Sequence, residues 1–459
     1  MSNESTTAGF KRPGILSAHP TLTLACCAVL PMLAISIAGR IFEASIRPKI
    51  PKATDLTNLG ALRHILHLFK WSGNDSWLPM QRALETLHGP NANALYERLF
   101  FAEHVRFQYP LTSLIPFGAL AKIGISSVFS LNSLNLAVFL LNVVAVAALA
   151  WLLFPNGLSQ SQPTSGVQTR ARAGVAFCAG LAALVFYPVI RAGVLGQIQL
   201  WIDLLFSCAL ICWMLGWRLI AGLIIGVAST IKPQLGLLLL WGLLWNEWRF
   251  VSGFVVGFVP LAAMSVVLYG MHNNIMYFDV LSFLARHGES YYANNSINGI
   301  LNWYFTNNNS LYWYGDEFTP YVPLVHIGTL ISSVIFVLII IVSPLLKRGR
   351  AASLTDLGTA AICTVVGSPV AWEHHYGIIL PLFLVSLKCL LGIEEQSKKQ
   401  LFLGFLFVSW ILVSNFIPFA LLLAHTPFAI AQAYCFFGSI LLLVLLLVAP
   451  KCINERDIA

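Results

Sequence analysis

An acid, a lysine, two adjacent histidines and a set of amides and aromatics are the groups in this chain whose types and placement could do chemistry. Asp75 lies in the polar stretch 41–110, ahead of an amphipathic segment. Gln197 follows Gly196 at the start of an apolar run, and Lys232 precedes Pro233 between two short ones. Trp372, Glu373, His374 and His375 stand together between two long ones. Tyr291, Tyr292, Asn294, Asn295 and Ser296 fall in a polar segment, 271–321. As one set they suit transfer of a sugar from a lipid phosphate to a hydroxyl. A carboxylate such as Asp75 serves to take the hydroxyl proton. A lysine and an imidazole suit the departing phosphate. Lys232 at a break between half-helices adds helix-end dipoles to that phosphate site. Amide and aromatic side chains suit a sugar ring. No Gly-rich nucleotide loop is present, so a nucleotide-sugar donor is not indicated.

Taken singly, each group has a plainer reading. An acid in a polar loop is usually solvated, a lysine at a helix end snorkels to the interface, and paired histidines cap a helix. Asp203 lies one turn into an apolar run, where ionisable residues are functional by default, yet it could simply pair with Arg191 nearby.

Composition says what must position these groups. The chain has 459 residues, 58% hydrophobic and only 10% charged, against about 25% charged in soluble proteins. The excess must be membrane spans. The net charge of +8 reads as a positive-inside bias of loops and not as a nucleic-acid surface. The nine cysteines form no CxxC pattern, so neither a disulfide framework nor a zinc site is indicated. The run from Thr21 to Ala38, after Lys11-Arg12, reads as an uncleaved signal anchor.

About twelve spans are expected, at 21–39, 131–154, 173–191, 197–216, 219–231, 234–246, 250–270, 322–345, 355–369, 376–393, 401–420 and 428–449. The pair 219–231 and 234–246 is too short to cross upright and reads as a broken helix meeting at Lys232-Pro233. Residues 110–128, interrupted by Pro110, Pro116, Gly118 and Lys122, read as an interfacial helix. That choice leaves both termini cytoplasmic, with Arg170, Arg172, Arg218, Arg249, Lys347, Arg348, Arg350, Lys398, Lys399 and Lys451. The Ser/Gln/Gly-rich stretch 155–172 reads as an inner linker. The outer face receives 40–130, a tight turn at 192–196, the long loop 271–321, the link 369–375 and 421–427. Leu78, Arg82, Leu84 and Leu87 predict an amphipathic helix lying flat, ended by Gly89-Pro90. The expectation is an all-α polytopic membrane protein, one domain over 1–459, with amphipathic juxtamembrane helices in the first outer loop.

Five stretches carry a resemblance. They are Asp75-Ser76-Trp77 with Arg82-Ala83-Leu84, Gly89 and Leu95-Tyr96; Phe107-Gln108-Tyr109-Pro110; Gly196-Gln197; Ala221-Gly222-Leu223 with Lys232-Pro233; and Ser368-Pro369-Val370-Ala371-Trp372-Glu373-His374-His375. In this order the chain resembles the polytopic glycosyltransferases of the C superfamily, and within them family 87, the polyprenyl-phosphate-mannose-dependent mannosyltransferase-like proteins. The resemblance implies a GT-C fold in a bacterial plasma membrane, with an active site on the extracytoplasmic face. It implies an inverting hexosyl transfer, mannose foremost, from a polyprenyl phosphate to a glycolipid or glycan, without cofactor or metal. It places the base at Asp75, donor phosphate contacts at Lys232, His374, His375 and Gln197, and substrate contacts at Tyr109, Trp372, Glu373, Asn295 and Ser296. Departures are Leu111 in place of a second proline, Gln199 in place of an asparagine, and a longer approach to the acid, which leaves Asp55 as the other acid that could be the base.

Two other classes compete. A flippase or transporter of lipid-linked glycans needs polar residues lining a path through the bilayer; the expected spans offer mainly Asp203 and Asp356. An oligosaccharide polymerase would rely on arginine-rich outer loops, and 271–321 contains only Arg286.

Overall fold

The computed structural model describes residues 20–46, 65–67, 70–90, 92–158, 165–306, 309–313, 315, 317–346 and 350–448. Lys11, Arg12, Asp55, Lys347, Arg348, Lys451, Cys452 and residues 159–164 of the expected linker lie outside them. Among the described residues there is no strand, only helices and one isolated β-bridge.

A long helix α1 (Pro20–Ile46) precedes two short ones, α2 (Trp77–Leu87) and α3 (Leu114–Lys122). The chain continues through α4 (Val128–Leu153), α5 (Ser165–Val185), α6 (Tyr187–Leu195), α7 (Gln199–Met214), α8 (Arg218–Ser229) and α9 (Leu237–Leu244). Then come α10 (Trp248–Tyr269), α11 (Met271–His287), α12 (Ile297–Phe305), α13 (Pro323–Leu346) and α14 (Leu354–Val366). The last three are α15 (Leu380–Leu391), α16 (Gln396–Ser414) and α17 (Tyr434–Val448).

Six helical stretches are long and apolar enough to cross a bilayer, or seven if α5 and α6 count as one bent span. The chain is thus a membrane protein by its helices, but the twelve expected spans are not all of spanning length. Helix α8 has 12 residues and α14 has 13. At 1.5 Å per residue each covers about 20 Å, short of the roughly 30 Å hydrocarbon core.

Three further expectations are corrected. The run 173–191 is not one helix: α5 and α6 meet at a 47° bend. Pro188 in the first turn of α6 lacks the N–H that would continue the ladder. Residues 192–195 belong to α6, which Gly196 ends with a left-handed φ of +69°. The segment 271–321 holds two helices, α11 and α12; Ser296 caps α12, and Asn273 and Asn298 accept from the backbone N–H of Leu95 and Glu289 instead of filling a loop.

Helix α2 runs where the amphipathic pattern predicts it. Its buried residues are Trp77, Pro79, Met80 and Ala83, while Leu78 is exposed. Trp77 stacks on Phe117 of α3 at 6.2 Å.

Helices α8 and α10 are pressed together through Gly222, Gly226, Gly253 and Gly257. A Cβ at Gly222 would fall 1.9 Å from the Phe250 carbonyl oxygen, and one at Gly253 would fall 1.9 Å from that of Leu219. Small residues four apart on both partners allow backbones to approach this closely. The contact fixes α8, and with it the break that carries Lys232.

Candidate active site

The loop before α2 docks on the turn after α6. Asp75 N donates to the Leu195 carbonyl at 2.9 Å and Ser76 N to that of Gly196 at 3.3 Å. Gly73 and Gly196 meet so closely that a Cβ on Gly196 would sit 2.1 Å from the Gly73 oxygen. Both positions therefore need glycine. Ser76 Oγ donates to Gln197 Oε1 at 2.8 Å and accepts from Ile198 N at 3.0 Å. The Tyr109 hydroxyl reaches Gln197 Oε1 at 3.0 Å, so Gln197 is held with its amide nitrogen toward Asp75. That contact, Gln197 Nε2 to Asp75 Oδ2, is long at 3.5 Å. Desolvation by the surrounding protein raises the Asp75 carboxyl from its ordinary value, while the Arg191 charge and the Gln197 amide pull it back. Burial likewise raises the Tyr109 phenol. Trp77 Nε1 donates to Asn132 Oδ1 at 3.0 Å and anchors the start of α2 to α4.

The cationic side forms at the break between α8 and α9. A 3₁₀ turn, Pro233–Gly236, follows Lys232, whose own backbone is extended. Lys232 Nζ lies 2.5 Å from Nε2 of His375. The histidine belongs to a second 3₁₀ segment, Glu373–Ile379. Asp203 does not pair with Arg191. Its Oδ1 accepts from Gln199 Nε2 at 2.8 Å, and Lys232 is its charged neighbour. A Cβ at Gly377 would fall 2.2 Å from Asp203 Oδ2, so the carboxylate rests against the backbone that presents His374 and His375.

Residues 293–296 are tied to residues 369–373. Asn294 and Trp372 form the isolated antiparallel bridge. Asn295 N donates to the Ala371 carbonyl at 2.8 Å and Glu373 N to that of Ala293 at 3.0 Å. Asn294 Oδ1 accepts from Ala371 N at 2.9 Å. Asn295 Oδ1 accepts from Cys435 N at 3.1 Å, and Ser296 Oγ caps α12 by accepting from Gly299 N at 3.1 Å. Asn295 and Ser296, expected to touch substrate, are buried in these internal bonds and do not line the cavity described next. Their place is in the latch that carries the Trp372–His375 segment.

One cavity of about 610 Å³ gathers Asp75, Tyr109, Gln197, Lys232, Trp372, Glu373, His374 and His375. Glu373 is fixed there by two phenols, Tyr434 donating to Oε1 at 2.5 Å and Tyr187 to Oε2 at 3.3 Å. Sequence reasoning missed Arg191 as a wall of this cavity. Its charge acts on Asp75 and Glu373, yet it makes no hydrogen bond or ion pair with a described residue. The available signal was its place one turn before the Gly196-Gln197 pair. Arg106, Glu103, Gln234 and Trp313 also line the cavity. Among the described residues no group of three or more His, Cys, Asp or Glu is placed to hold a metal ion.

An acid, a lysine and an arginine lining one cavity, in a chain with apolar helices of membrane-spanning length, define a membrane protein with the means for group transfer. The family model described as glycosyltransferase family 87 matches residues 107–372. The chain belongs to that family and is a glycosyltransferase with a sugar donor and an acceptor as substrates. The matched region includes Tyr109, Gln197, Lys232 and Trp372 and stops short of Asp75, His374 and His375. No curated protein and no solved structure matches the chain.

Proposed function

We propose that this glycosyltransferase, with a C-superfamily fold, moves a hexose from a polyprenyl-phosphate donor to a hydroxyl of a glycolipid or glycan. The sugar is mannose by family resemblance, and the transfer inverts the anomeric centre. The site faces the extracytoplasmic side of a bacterial plasma membrane. The observation that carries the reading is the shared cavity of Asp75, Lys232 and Arg191: one acid open to the cavity and two basic side chains around a volume that admits a sugar phosphate.

In this reading Asp75 takes the proton of the acceptor hydroxyl. The acceptor oxygen bonds to the anomeric carbon as the bond from that carbon to the phosphate oxygen breaks. The electron pair leaves on the phosphate, where Lys232 and Arg191 meet its charge. Such preorganised charge is worth most where water is excluded. Gln197 orients the Asp75 carboxylate, and the His374–His375 segment holds Lys232.

The test uses purified protein with radiolabelled polyprenyl-phosphate-mannose and a membrane glycolipid extract. Transfer by the wild type that is lost in folded Asp75→Asn supports both donor and base. Transfer that survives the substitution moves the base to Asp55 or another acid. Absence of transfer by the wild type overturns the donor or acceptor assignment.

A further inference from the structure

We propose that Trp313, Trp372 and Tyr291 form a carbohydrate platform on the cavity wall, so that the acceptor is held through a pyranose ring and not through a lipid or peptide portion. The inference rests on the transferase reading above and names the substrate class of the acceptor half of that site.

Three segments far apart in the chain bring these rings together. The ring centres of Tyr291 and Trp313 lie 5.5 Å apart, those of Trp313 and Trp372 5.5 Å, and those of Tyr291 and Trp372 6.5 Å. The interplanar angles are 65°, 69° and 59°. Rings set this steeply touch edge to face and do not spend their faces on parallel stacking with one another. All three line the cavity that holds Asp75, and Trp313 is 37% exposed.

The polar edges point the same way. Neither the Trp313 nor the Trp372 indole N–H has a protein acceptor among the described residues; the buried indoles of Trp71, Trp213 and Trp241 also lack one, but those three do not line the cavity. Two unspent N–H donors beside apolar ring surface match a pyranose, which offers C–H faces and equatorial hydroxyls together. A polyprenyl or acyl chain would use the ring surface and leave both donors unmet.

Two contacts brace the platform. Arg106 sits with its guanidinium carbon 5.3 Å from the Trp313 ring centre and 4.2 Å from that of Phe318. It pairs with Glu289 at 3.1 Å and donates to the Glu317 carbonyl at 2.5 Å. Trp372 is held by its bridge to Asn294. Rigid aromatic walls of this kind bind with little loss of side-chain freedom.

The test is saturation-transfer NMR on the full chain in lipid nanodiscs, free of sugar-based detergent. The probes are methyl α-mannopyranoside, methyl β-glucopyranoside and methyl β-galactopyranoside, with cyclohexanol as an apolar ring of similar size. At least one glycoside should take up saturation at its ring protons, well above cyclohexanol. Trp313→Ala should weaken that binding about five- to tenfold, the size of one lost aromatic contact. Trp313→Phe, which keeps ring surface and guards against misfolding, should fall between. No glycoside above the cyclohexanol level, or binding unchanged in Trp313→Ala, overturns the platform. A kinetic arm separates the two proposals. Trp313→Phe should raise the acceptor KM by a larger factor than the donor KM; a change confined to the donor overturns the acceptor assignment. Glycoside binding without any transfer by the wild type would sink the transferase chemistry and leave the platform standing.

Discussion

Lys232 Nζ and His375 Nε2 lie 2.5 Å apart, joining the break after α8 to the 3₁₀ segment Glu373–Ile379. With the lysine donating, the imidazole accepts at Nε2 and is neutral, carrying its proton on Nδ1. The ammonium is thereby aimed into the cavity by a group that adds no charge of its own. If the two act as a unit on a departing phosphate, Lys232→Met should lower kcat about 10²- to 10³-fold, the loss typical of one preorganised group. His375→Ala should give a smaller loss, and the double variant should be no worse than Lys232→Met. Steady-state kinetics on the three variants decide this: losses that multiply would mean the residues act independently.

The acid side has a pH signature. In the proposed reaction Asp75 can act as a base only when ionised, and desolvation raises its pKa. Transfer should therefore fall as the pH drops through a value above the ordinary aspartate pKa of about 3.9. The Arg191 charge lowers the Asp75 pKa, so Arg191→Met should move this acid limb to higher pH, while Arg191→Lys should leave it nearly in place. The profile of kcat/KM against pH reads both shifts. A limb that does not move in Arg191→Met would separate the two groups electrostatically.

Asn294 is the keystone of the latch. Its Oδ1 accepts from Ala371 N at 2.9 Å, and its Nδ2 donates to the Glu289 carbonyl at 2.9 Å. Asn294→Ala leaves both backbone groups buried without this partner, at about 1–3 kcal/mol each. The variant should melt at lower temperature and lose transfer together, because the strap positions Trp372 and His375. A normal melting temperature with normal transfer would contradict the strap's role.

The α8–α10 contact has no room for a side chain. Gly226→Leu would drive carbon into the Phe254 carbonyl, since a Cβ there already falls 2.3 Å from that oxygen. It should destabilise the protein by several kcal/mol, as severe overpacking does. Gly404→Ala in α16, where nothing lies within 4 Å, should be neutral or slightly stabilising. Thermal unfolding of the two variants side by side checks the comparison.

Much of this architecture is local and could be read from the chain. The apolar runs mark the helices because each must bury or lipid-solvate its own surface. Helix α2 and its stop at Gly89-Pro90 follow from a 3.6-residue pattern and a breaker. The discontinuity at Lys232-Pro233 follows from proline's missing N–H. These features depend on neighbours a few residues away, so composition and spacing determine them. The family resemblance in the five short stretches rests on the same local information.

The site itself is decided at longer range. Ser76 meets Gln197 across 121 residues and Lys232 meets His375 across 143, and no periodicity encodes such pairings. Arg191 lines the cavity from α6, which is bent by 47° from α5, whereas the sequence allowed it to be a partner for Asp203. Asn295 and Ser296 read as sugar contacts because amides in an outer loop suit a sugar, yet the fold spends them on Cys435 and on capping α12. The amino-acid sequence determined a membrane-embedded helical glycosyltransferase with its acid, lysine and histidines. Only tertiary packing decided which of them share a cavity, because a side chain's partners are set by how helices cross and bend, and those angles arise from contacts between segments distant in the chain.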